Sequence, residues 1–202
     1  MASLLKSQPR SAEDIEKIAY EVIKSFQPEV LESVTRFDVE GFFEFELKNQ
    51  TNIEPDYWEL PEEIDGFTDS EEMICIISTR IAEYGEDEVL KRRCRATQAH
   101  EIGHCFLHVE DARLNKKLQQ RFEHNKKCSI KRYRPEDIKV YENPEWQAWR
   151  FASALLMPEI CFRRAVECDW TKKQIKYAFD VNPSFIDVRL RELKIPKRLR
   201  NG

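Results

Sequence analysis

Between Ser11 and Phe26 apolar side chains recur three and four residues apart: Ile15, Ile18, Ala19, Val22, Ile23 and Phe26. That spacing puts them on one face of an amphipathic helix that packs on a core. Ser11 precedes the run with Asp14 three residues on, a capping pattern. The period then changes. Phe43, Phe45 and Leu47 alternate with Glu44 and Glu46, which predicts a half-exposed strand. Asn49 to Ser70 carries acidic clusters and two prolines and reads as a loop-rich connection. The apolar run "MICIIST" predicts a short buried strand, in one small sheet with the first.

A long helix is expected from Asp87, a plausible N-cap, to His108. It contains no proline, and its one glycine, Gly103, implies a packing reason such as the close approach of another backbone. The stretch from Arg113 to Arg134 is less regular: its first half can extend a helix, and "SIKRYRPED" reads as loop or edge strand. Asn143-Pro144 is a helix start, and the helix "PEWQAWRFASALLM" stops before Pro158, where another begins. Thr171 with Gln174 opens a short helix; "DVN" turns the chain, and Pro183 opens a last one, a helix-turn-helix-like layout. The pattern predicts an α+β fold, mainly helical. A small sheet lies beside the long helix in residues 1–160, and a helical extension over 161–202 packs on it.

The 202 residues suffice for one sizeable core. Charge adds an asymmetry that the net value of −4 hides. Glu29 to Glu72 holds 15 acidic residues against two basic, and Arg113 to Arg134 nine basic against one acidic. Two solvated surfaces explain this; the sharper reading is that the basic segment meets an acidic partner or nucleic acid. No segment approaches the ~20 apolar residues of a membrane span, and the first residues lack the apolar run of a signal peptide. The six cysteines (75, 94, 105, 128, 161 and 168) form no Cys-x-x-Cys pair. Free thiols in a reducing cytoplasm are expected, a cysteine metal site being the weaker option.

Candidate chemistry sits at "HEIGHCFLH", residues 100–108, in a chain with four histidines. His100 and His104 fall on one helix face about 6 Å apart along the axis. Two imidazoles so placed can converge on one zinc. Glu101, rotated about 100°, can reach a water there without ligating the metal. This is the H-E-x-x-H arrangement of zinc proteases, and a chance match in such a chain is expected roughly once in a hundred. A catalytic zinc takes a third protein ligand and keeps one position open. His108 lies about 12 Å along the axis from His100, too far to share the ion. It can make an outer contact or cap the helix end. His124, in the basic segment, is a lesser candidate. Glu145, held in the first turn of the helix at Pro144, is the better one, with Glu142 and Glu159 as rivals that spacing does not separate. Tyr133, Tyr141 and His124 are candidates for stabilising an oxyanion.

"HEIGH" followed by "EWQAWRFASALLMP" resembles the ImmA/IrrE family of zinc metallopeptidases, whose pattern is H-E-x-x-H and then E-x-x-A-N-x-F-A-x-x-L-L-M-P. Glu145, Ala148, Phe151, Ala152, Leu155, Leu156, Met157 and Pro158 fall on it. Trp149 stands where the pattern has Asn, and Glu145 lies 41 positions after His104. The resemblance implies a minimal gluzincin, a zincin-like fold, with zinc on His100, His104 and Glu145 and with Glu101 as general base. It also implies a protein substrate, a helix-turn-helix repressor whose cleavage releases transcription in a mobile element or stress response. The rival class is a non-proteolytic regulator or toxin-antitoxin partner. It would use the C-terminal helices and the basic tail to bind DNA or protein, reading bases with Asn182, Arg189 and Arg191, while Phe185, Val188, Leu190 and Leu193 pack.

Overall fold

The computed structural model describes residues 7–114, 116, 139–196 and 199. Most of the basic segment lies outside these residues, as do His124, Cys128 and Tyr133 and most of the basic tail.

Helix α1, Ala12–Phe26, forms where the apolar stripe predicts it. Ser11 accepts from the Asp14 backbone N–H, and Asp14 accepts from the Ser11 backbone in return. Ile15, Ala19, Val22 and Ile23 are buried. The next segment departs from the expected strand. Val39–Gly41, Phe42–Glu46 and Leu47–Thr51 form one continuous helical run, α2, whose middle piece is a π-turn. Val39, Phe42, Phe43 and Leu47 are fully buried, whereas Phe45 is 70% exposed. The buried set recurs at three, four and eight residues, a helical interval. The alternation came from an outward-facing phenylalanine.

Two strands lie further along, within the stretch that reads as loop, and a third forms where "MICIIST" predicts it. Strand β1 is Glu54–Trp58, β2 is Gly66–Asp69 and β3 is Ile74–Ser78. The order is β1-β3-β2, with β1 parallel and β2 antiparallel to β3. The expected partner of "MICIIST" is therefore replaced by two polar strands. Pro55 is tolerated because β1 is an edge strand. Tyr57 anchors β1: its ring lies 5.5 Å from Phe43, and its hydroxyl donates to Glu44.

Asp87 caps helix α3, Glu88–Leu107, by accepting from the N–H groups of Val89 and Leu90. The chain stays helical from 109 to 114. Helix α3 crosses the middle of the molecule and buries polar as well as apolar residues, among them Arg92, Arg95, Gln98, His100 and Glu101. Arg95 donates to the carbonyls of Phe37 and Asp180, and Arg92 Nε lies 2.9 Å from the Asp180 carboxylate. The polar side of α3 is thereby tied to the C-terminal turn.

Asn143 accepts from the N–H groups of Glu145 and Trp146 and opens α4, Pro144–Leu156. Helix α4 packs on both α3 and α1. The contact with α3 is close at Gly103, where an added Cβ would lie 3.1 Å from Ala148 O and 3.2 Å from Ala148 Cα. The chain then folds through α5, Glu159–Glu167, α6, Lys172–Phe179, and α7, Pro183–Glu192. One apolar core runs from Ile15 to Leu193 through all these layers. Arg189 on α7, expected among base-reading residues, is instead fully buried. It forks onto both oxygens of Glu16 on α1 at 2.5 and 2.9 Å and donates to Met157 O. No helix among the described residues is long and apolar enough to cross a membrane.

Candidate metal centre

His100 and His104 face outward from the same side of α3, and α4 brings Glu145 opposite them. His104 Nε2 lies 3.0 Å from His100 Nε2. Glu145 Oε2 lies 3.3 Å from His100 Nε2, and its Oε1 3.4 Å from His104 Nε2. Bonds of ~2.0–2.1 Å at tetrahedral angles would separate ligand atoms by about 3.3 Å. One oxygen and two imidazole nitrogens at these spacings fit a zinc-sized ion, and these residues could hold one. Of the acidic rivals, Glu159 pairs with Arg163 at 2.6 Å, and Glu142 is buried on the side of the N-terminal segment, its carbonyl accepting from Ser7. Only Glu145 meets both histidines. Hydrogen bonds from His100 and His104 hold its carboxyl well below the usual carboxylate range, so it faces them as an anion.

Glu101 points into the protein beside this triangle. Its Oε2 accepts from Thr68 Oγ1 at 2.8 Å. Burial raises its pKa, and the neighbouring histidines and Thr68 only partly offset this. A carboxyl so placed holds a proton more readily than an exposed one and is suited to taking and returning it. Thr68 escapes sequence reasoning because it lies in the stretch without apolar periodicity, and only the pairing of β2 with β3 aims it at α3.

His108 makes the outer contact expected as one of its two roles. Its Nδ1 lies 3.0 Å from His104 Nδ1, and its Nε2 3.0 Å from Gln147 Oε1. Burial, reinforced by His104, lowers its pKa to about 3, so the ring is neutral. Gln147, fully buried on α4, was not singled out in the sequence, where it fills a variable position of the motif. Tyr141 is exposed under the Lys139 ammonium and does not line the cleft described next.

His100, one corner of the triangle, lines a cleft of about 610 Å³. Gly66 on β2, Thr97 on α3, Trp149 on α4 and Phe185 and Val188 on α7 line it, with His100 and Glu101 at its floor. Trp149 lies with its ring 4.2 Å from that of His100 and meets Phe185 edge-on at 6.2 Å. The sheet edge facing this cleft is β2; "MICIIST" forms the central strand and has no free edge.

Residues 91–191 match the Peptidase M78 family model, the IrrE N-terminal-like domain. A solved structure, a Mycobacterium tuberculosis transcriptional regulator, shares the fold with a TM-score of 0.58 at 14% identity. The match covers 94% of this chain and 49% of that one, so this chain spans about half the regulator's length. No curated protein matches in sequence. The matched residues contain both the histidine pair and the carboxylate that faces it, and the chain belongs to the M78 peptidase family, with its IrrE N-terminal-like domain.

Proposed function

We propose that the protein is a zinc-dependent endopeptidase that cleaves a helix-turn-helix transcriptional repressor and so relieves repression in a mobile element or stress response. The observation that carries the reading is the convergence of His100, His104 and Glu145 beside an open cleft that His100 and Glu101 line. A zinc held there supplies Lewis acidity, which lowers the pKa of a water and polarises a scissile carbonyl. Glu101 takes the water's proton and hands it to the leaving amine. Thr68 keeps that carboxylate oriented, and Trp149 with Phe185 excludes water from one side of the cleft. The repressor as substrate is supported by the family and by a structural neighbour that is a transcriptional regulator. The described cysteines are free thiols, which suits a cytoplasmic location.

Zinc per chain is the deciding measurement. The wild type should hold about one zinc after dialysis, and Glu145→Gln clearly less. Glu101→Gln should keep its zinc and lose cleavage; normal proteolysis by that variant would remove the reading. The second reading, a non-proteolytic regulator or toxin-antitoxin partner, draws on the same structural neighbour. It is weakened by the burial of Arg189, and it requires salt-dependent DNA binding.

A further inference from the structure

We infer that Trp149, Phe185 and Val188 form an apolar subsite that selects a bulky apolar side chain, aromatic or leucine-like, next to the bond that is cut. With the cleft read as the place where a polypeptide lies, on which this assignment rests, the C-terminal helix α7 takes part in choosing the substrate.

Helix α4 buries every residue from Gln147 to Leu156 except Trp149, which is 44% exposed. The core therefore does not claim this indole. Its ring lies 4.2 Å from that of His100 and meets Phe185 edge-on at 6.2 Å. Phe185 and Val188 stand three residues apart on α7 and so share a face. Both are only half-buried, and both line the cleft. Ile186 and Arg189, one position further on in each case, are the residues that α7 buries completely. The three apolar side chains thus make one continuous wall that starts against a residue of the candidate metal centre.

Gly66 on β2 and Ala96 and Thr97 on α3, one turn before His100, add little bulk to the lining, so the cleft has room for a large guest. The cations of the lining are occupied. Arg92 lies 2.9 Å from Asp180 and 2.6 Å from Glu88, and Arg93 lies 2.6 Å from Asp65. An acidic guest would have to break these pairs. Glu63 is exposed and offers a basic guest only a screened attraction. An apolar guest instead takes indole and phenyl surface out of water, which is worth about tenfold or more in affinity for one large side chain. An extended chain advances about 3.4 Å per residue. A wall that begins 4.2 Å from His100 is therefore reached by the residue next to the bond.

The test uses the full chain freed of metal, with 15N in its four tryptophan side chains, and the capped tripeptides Ac-Ala-X-Ala-NH2. With X as Phe or Leu, the Trp149 indole signal, identified by its loss in Trp149→Asn, should shift saturably while the other three stay in place. Peptides with X as Ser, Lys or Glu should need about tenfold higher concentration. Val188→Ser and Phe185→Ala should each weaken binding of the Phe peptide by about three- to tenfold. Ile160→Ala, an exposed apolar position on α5, should not. Equal shifts with X as Phe and Ser, or full affinity in both α7 variants, overturn the subsite. The zinc-loaded chain is then given unfolded casein, and the cut sites are read by mass spectrometry. Cuts flanked by Phe, Leu or Met are expected, with that preference flattened in Trp149→Asn. Cuts without such a preference overturn the subsite and leave the peptidase standing. Selective binding by a chain that cuts nothing upholds the subsite and removes the peptidase alone.

Discussion

At the scale of single residues, Gly103 shows how closely the ligand-bearing helices are matched. A methyl group there would press on the backbone of Ala148 at 3.1–3.2 Å and on the Phe151 ring at 3.1 Å. Alanine would gain up to about 1 kcal/mol in helix propensity. Overpacking against a backbone that is itself helical costs about 1–3 kcal/mol. Gly103→Ala is therefore expected to be net destabilising by about 1 kcal/mol. Urea denaturation would read this as a lower midpoint. The displaced α4 should also carry Glu145 away from the histidines, so zinc affinity should fall in the same variant. An alanine variant as stable as the wild type, with unchanged zinc affinity, would show that α4 can give way freely. The expectation that this glycine admits another backbone was legible in the sequence; which backbone it admits was not.

At the scale of elements, the joint between α1, α4 and α7 is ionic and buried. Arg189 is enclosed by Glu16, the Met157 carbonyl and Glu192, and Arg150 shares Glu16 at 2.9 Å. Ser153 donates to Glu192 at 2.6 Å, and burial raises the pKa of that carboxyl. Removing one partner leaves a buried guanidinium uncompensated, which costs about 3–5 kcal/mol. Glu16→Ala should show a loss near the lower end, because Glu16 retains some exposure. The double replacement Glu16→Leu with Arg189→Met should recover much of it. Equal losses in the single and double variants would mean that the charges contribute through packing alone. The capped helices could be read from sequence, since Ser11, Asp87, Asn143 and Thr171 each cap as their positions suggest. Of the sheet only β3 could, from its apolar run. Strands β1 and β2 carry few apolar residues and exist because β3 lies between them, a tertiary cause that leaves no local period. The helical run 39–51 was misread for the converse reason, a surface phenylalanine in the rhythm of a strand. The site divides in the same way: the histidines and Glu145 sit on helices with strong local signals, whereas Thr68 and Gln147 become partners only through docking.

At the scale of the whole molecule, a buried thiol and a half-buried phenol set an alkaline limit. Burial pushes the Cys94 thiol from 9.0 to about 12, and burial with the Glu40 hydrogen bond takes the Tyr84 hydroxyl from 10.0 to about 12. The folded state keeps these protons where the unfolded chain has released them. Stability from the neutral forms is thus fully present below about pH 9 and is lost as pH rises towards 12. The Cys94 proton steepens the loss by about 1.4 kcal/mol per pH unit, and the part-exposed Tyr84 hydroxyl contributes less. Cys94→Ala should lose some packing at neutral pH, yet its stability should decline less steeply between pH 9 and pH 12. Parallel declines would mean that Cys94 does not titrate in that window.

Trp149 has a consequence of another kind. An indole ring 4.2 Å from an imidazole shares its excited state with that neighbour, and its brightness depends on what the imidazole holds. The ring lines the cleft, half open to solvent, against a histidine whose buried Nδ1 meets no hydrogen-bond partner among the described residues. Emission from this one of the four tryptophans is therefore expected to change when a metal or a substrate arrives, read as the difference from Trp149→Asn. The asparagine that the family pattern has at this place would remove that component and leave the other three.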